Sequence, residues 1–212
     1  MKKKLLVGLA MGLLFGMAQI ASAEFYGGID FPDGAVSFAD EWILYEPTND
    51  VLAPRNNPVT ALGVPDSPPN SNSVSLGDEG VLVLKFTDNS LTTSGDDSFD
   101  LWIFEVGTLE ATSIAISTNG SDWIDVGNTS GSTSGINIDA YFSSGVVLGE
   151  RYSYIRIVDL LPHQTGSPYA GADIDAVGAI SSTAPVPIPG AVWLLGTGLA
   201  GLAGIRARKK KK

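Results

Sequence analysis

The chain contains no cysteine and a single histidine, His163. The first absence excludes disulfides, zinc–thiolate sites and iron–sulfur clusters, so stability outside a reducing compartment must come from burial or a bound metal. The second excludes His-rich metal sites, and His163 falls in a Pro/Gln/Thr/Gly stretch that reads as a solvated loop. Basic residues are scarce in the middle of the chain. Of the 13 Lys and Arg, three stand at Lys2 to Lys4 and six between Arg206 and Lys212; the remaining four face all 23 acidic residues between Glu24 and Asp175, a balance of -19. Such a segment disfavours nucleic acid and anionic lipid and suits a divalent cation or a neutral glycan. No Gly-x-Ser-x-Gly, His-Glu-x-x-His or phosphate loop occurs, and no pair of carboxylates stands in a recognisable motif. A non-catalytic protein is therefore expected.

What the sequence does contain begins with its two ends. Residues 1–23 join a lysine cluster, an apolar run from Leu5 and the small-residue pattern Ala21-Ser22-Ala23, which predicts a secretory signal peptide cleaved before Glu24. At the other end, residues 183–189 hold Pro187 and Pro189, residues 190–205 form an apolar run and residues 206–212 are basic. That run is short of the roughly 20 residues a straight membrane-spanning helix needs, and the lysines that follow it favour the cytoplasmic side. The combination of Val186-Pro187-Ile188-Pro189-Gly190, Trp193-Leu194, a Gly-rich apolar stretch and an Arg/Lys end resembles a PEP-CTERM sorting signal in its VPLPA-like variant, with Ile188 where the main family has Glu. The resemblance implies an exosortase-type transpeptidase as partner. It also implies an inner-membrane-tethered precursor that passes to the cell surface or extracellular polysaccharide matrix of a Gram-negative bacterium. A single-pass anchor that is never processed is the competing reading.

Residues 24–182 show no long helical periodicity, many Gly/Ser/Asn/Asp clusters, and short β-branched or aromatic runs. This predicts an all-β sandwich. Strands are expected at Val81 to Phe86, Phe99 to Val106, Ser113 to Ser117, Tyr154 to Asp159 and Ile174 to Ile180, with a hairpin at Asn119-Gly120 leading into a strand that carries Trp123. The segments SIAISTNGSDWIDVG, YSYIRIVDL and GADIDAVGAI resemble a discoidin-like, galactose-binding jelly roll, and the whole stretch resembles a group of PEP-CTERM surface proteins of unassigned biochemical role. The resemblance implies a jelly-roll fold hosting glycan binders, lipid binders or spacers.

By the same resemblance, a structural calcium would fall near Asp66, Asp100, Glu105, Asp173 and Asp175. Asp173 and Asp175 lie two apart, so on a regular strand both face one side, and they require calcium, Arg156 or backbone donors between them unless both are exposed. The pattern Gly-x-(Asn/Asp)-Ile-Asp-Ala occurs at both Gly135 and Gly171. Aromatic rings that could stack on sugars include Tyr141 and Tyr169, both expected to be exposed in Gly/Ser-rich loops, whereas Trp102 and Trp123 are expected to be structural. The expected function is matrix association by glycan binding. A structural or self-associating spacer and a polysaccharide hydrolase are the alternatives.

Overall fold

The computed structural model describes residues 23–48, 51–67, 72–160 and 171–182. The signal segment, the Pro-rich sorting motif from Val186 to Gly190, the apolar run, Tyr169 and His163 lie outside these residues. The described residues form an all-β sandwich, as expected from the sequence. Its strands are β1 (Glu24–Tyr26), β2 (Ile29–Phe31), β3 (Glu41–Glu46), β4 (Val74–Ser75), β5 (Val81–Lys85), β6 (Leu101–Glu105), β7 (Ala111–Ser117), β8 (Ile124–Ser130), β9 (Thr133–Ile136), β10 (Tyr154–Asp159) and β11 (Asp173–Ala179). One sheet runs β3-β5-β10-β7-β8 and the other β4-β11-β6-β9, all pairs antiparallel. Among the described residues no helix is long and apolar enough to cross a membrane.

Side-chain alternation explains why these segments pair as they do. In β10, Ile155, Ile157 and Asp159 are buried while Tyr154, Arg156 and Val158 are half-exposed. Leu82 and Leu84 of β5 and Ile114 and Ile116 of β7 complete the same inward face, meeting Leu101, Ile103, Ile174 and Val177 of the other sheet. The Asn119-Gly120 turn forms, with Gly120 at a φ of +76° and the Asn119 Oδ1 accepting hydrogen bonds from the Ser121 and Asp122 N–H groups at 2.8 and 2.9 Å. The repeated Gly-x-(Asn/Asp)-Ile-Asp-Ala pattern takes two conformations. Gly171 opens into β11, whereas Asn137 caps a 3₁₀ segment at Ile138–Ser144.

Edge strand β9 is exposed at Thr133, but the four-stranded sheet is covered on both faces along β11, every residue of which is buried. Its outer face carries a third layer built from the β1–β2 hairpin and the 3₁₀ turn Gly34–Ser37. Phe31 and Phe38 pack with ring centroids 4.7 Å apart, and both lie about 6 Å from Phe104 of β6, which faces away from the inter-sheet core. Phe38 forms a bridge with Gly178, and the Ala39 N–H bonds the Val177 carbonyl at 3.0 Å.

Candidate functional site

The outer face of the five-stranded sheet has no layer over it among the described residues. Ladder register places three rows across it. Glu41, Lys85, Tyr154 and Ser117 form the first row, Leu44, Val83, Arg156, Ala115 and Asp125 the second, and Glu46, Val81, Val158, Ser113 and Asn128 the third. A bulge between Trp42 and Leu44 makes Ile43 an extra residue, and both Ile43 and Leu44 then line a groove of about 490 Å³ with Val81, Val83, Val158, Trp123 and Arg156. Because Ala115 is small, the Arg156 side chain can cross it toward β8. There the guanidinium lies 4.8 Å from the Trp123 ring centroid and 3.6 Å from an Asp125 oxygen. No hydrogen bond to the guanidinium exists among the described residues, and Nε is buried without a partner. One row away, Lys85 meets Glu41 at 3.3 Å and lies 5.8 Å above the Tyr154 ring.

Trp123 is therefore not a core residue, contrary to the expectation from the hairpin pattern. It precedes β8 at the mouth of the groove, half-exposed. Trp102 does pack structurally, against the aromatic third layer and edge-on to Phe99 at 5.3 Å. Tyr141 is not an exposed loop residue either. It sits in the 3₁₀ segment, half-buried against the core, with its hydroxyl close to Gly127.

The carboxylates gather elsewhere. Glu105, Asp173, Asp175 and Asp66 come together where β6 ends and β11 begins, whereas Asp100 lies at the opposite end of β6 and accepts N–H groups of Ser94 and Ile138, both at 2.9 Å. A bulge at Asp175 breaks the period of two, because Ile174 pairs with Glu105 and Ala176 with Phe104. Asp173 and Asp175 accordingly find separate partners. The Ser75 hydroxyl and Arg55 face Asp173, and the N–H groups of Asp66 and Ser67 reach Asp175 at 3.5 and 3.3 Å. Arg156 serves neither. Burial nevertheless pushes the Asp175 carboxyl up to about 6 and raises that of Asp173.

Glu105 differs from these. It is only 3% exposed, and neither carboxylate oxygen has a hydrogen-bond partner. Burial first, then Glu110 and Asp173, push it up to about 8, and Asp159 adds to the effect. The Asp173 N–H, close by but outside hydrogen-bonding geometry, opposes the shift. Sequence reading missed Glu110, which carries no local signal, and also Asp159, which the alternation of β10 does place on the inward face. Among the described residues no group of three or more carboxylate or imidazole side chains is arranged to hold a metal, and N–H or O–H donors reach Asp66, Asp100, Asp173 and Asp175.

Neither a family model, nor a curated protein, nor a solved structure matches the chain.

Proposed function

We propose that the chain is an exported, non-catalytic, jelly-roll-type sandwich, sorted to the cell surface by an exosortase-type transpeptidase, that associates with extracellular polysaccharide by binding glycan. The observation that supports the reading best is the open groove on the five-stranded sheet, where apolar side chains, a half-exposed indole and an arginine with no hydrogen bond among the described residues share one concave surface. Sugar rings offer apolar faces for such a floor and hydroxyls for such donors.

Retention of the mature protein on native matrix polysaccharide tests it. Trp123→Ala is expected to weaken binding about tenfold, equivalent to about 1.4 kcal/mol, while the melting temperature changes little, because Trp123 is outside the core. If the wild-type protein binds no matrix glycan, the spacer reading replaces this one. For the sorting half of the proposal, mass spectrometry of the surface-exposed protein is expected to find a C-terminus near Val186 to Gly190. A mature C-terminus still at Lys212 would remove the transpeptidase from the account.

A further inference from the structure

We infer that the groove on the five-stranded sheet receives an acidic sugar, with the carboxylate of a uronate residue seated on Arg156 beside Trp123. The inference rests on the reading of this face as a glycan-binding surface and adds the chemical class of the ligand.

Four basic residues are available between Glu24 and Asp175, namely Arg55, Lys85, Arg151 and Arg156. Two of them, Lys85 and Arg156, project onto this one face in adjacent rows, about 7 Å apart along the strands. A strongly acidic domain thus concentrates half its cations over a single surface that no described residue covers. Their partners are acids at the two rims, Glu41 on edge strand β3 and Asp125 on edge strand β8, with side chains 54% and 79% exposed. Exposed ion pairs of this kind contribute little and give way readily to a better-placed anion.

Arg156 is placed to accept that anion. Its guanidinium is a fixed fork of N–H donors; Nε is buried, the side chain is one-third exposed, and the two Nη groups, one of them 3.6 Å from Asp125, are the donors left to face a ligand. The Trp123 ring beside it fixes the guanidinium's position in advance. A planar carboxylate can take two parallel N–H groups from such a fork, a geometry that neutral hydroxyls match less well. The neighbouring Val81, Val83 and Val158 offer an apolar floor for the rest of the sugar. A nucleic acid fits poorly by comparison. It brings a phosphate at every step, against only two cations flanked by acids in a segment of net charge -19. That overall charge is damped beyond roughly 8 Å at physiological ionic strength, so it does not bar a single carboxylate at contact distance.

The test uses the full mature protein and matched probes: oligogalacturonate, alginate oligomers, and each of them after carboxyl reduction to the neutral sugar. Wild type is expected to bind at least one uronate oligomer ten or more times tighter than its reduced form by isothermal titration. Arg156→Gln should bring the two to equal affinity, and Arg156→Lys should keep part of the preference, since it retains charge but loses the fork. Melting temperatures within about 2 °C of wild type would establish that both variants fold. A tenfold preference that survives in Arg156→Gln, or reduced and acidic oligomers that bind wild type equally, overturns the acidic-sugar inference. Equal binding lost in Trp123→Ala would leave the glycan reading standing. Displacement by millimolar acetate as effective as by the oligomers would make the site a simple carboxylate site and also overturn it. If no oligomer and no matrix glycan binds, both readings fall; a change in elution volume of Arg156→Gln on gel filtration would then identify the face as a self-association surface.

Discussion

Replacing Glu105 with glutamine is expected to stabilise the protein at pH 8 and to flatten its stability between pH 5 and pH 8. The carboxyl is sealed from solvent with neither oxygen hydrogen-bonded, and its neighbours Glu110, Asp173 and Asp159 repel its charge. Its pKa in the folded state is pushed up from 4.5 to about 8. The folded protein therefore holds this proton more tightly than the unfolded chain does. Stability from this group is full below about 4.5 and is lost as the pH rises toward 8. Each tenfold difference in proton affinity between the folded and unfolded chain is worth about 1.4 kcal/mol, so with allowance for charge sharing among the four acids the loss is on the order of a few kcal/mol.

Asp175, pushed up to about 6, and the raised Asp88, Asp100 and Asp173 act in the same direction, so some slope between pH 4 and pH 6 remains in Glu105→Gln. Urea titrations at pH 5, 6, 7 and 8 measure this directly. Wild type should be the more stable at pH 5, and the variant should overtake it at pH 8. A wild-type protein that gains stability from pH 5 to pH 8 would contradict the assignment.

Gly178→Val is expected to release the aromatic layer from the four-stranded sheet. A Cβ at Gly178 would stand 2.7 Å from Phe31 Cε1 and 2.8 Å from Phe38 Cε1, well inside contact distance. Those rings cannot retreat freely, because Tyr26 and Phe104 pack against them. Overpacking of this kind costs about 1–3 kcal/mol, and a valine, with two methyls beyond the Cβ, belongs at the upper end. The loss should concentrate in Glu24 to Phe38, so hydrogen exchange there should accelerate at least tenfold while β5, β7 and β10 keep their protection. Gly95→Ala provides the control, since Gly95 has φ +86° but nothing within 4 Å of its Cβ position. It should cost only about 1 kcal/mol from backbone strain. A Gly178→Val protein with wild-type melting and exchange would mean that the hairpin does not depend on this contact.

These two sites were unequally visible in the sequence. Glu105 could be singled out as a carboxylate on a strand, and Asp173 and Asp175 could be seen to need partners. Their actual partners come from loops and strands about 100 residues away in the case of Ser75, Asp66 and Ser67, which no local pattern announces. Gly178 gave no signal, because its role depends on two phenylalanines some 140 residues earlier that fold over it. The groove was half legible. The alternation Tyr154, Arg156, Val158 marks an outward face, yet nothing in the hairpin residues says that Trp123 turns to meet Arg156.

The sequence by itself determined the all-β class and the cores of five strands, because a period of two is a local property that hydrophobic patterning records directly. It also determined the charge segregation, with basic ends around an acidic middle. Only the tertiary structure decided which strands become neighbours, and with them the cation-bearing groove, the buried acids around Glu105 and the third layer over Gly178. Strand pairing is non-local. Single-residue bulges at Ile43 and Asp175 then redirect side chains in a way set by the partner strand rather than by the residues themselves.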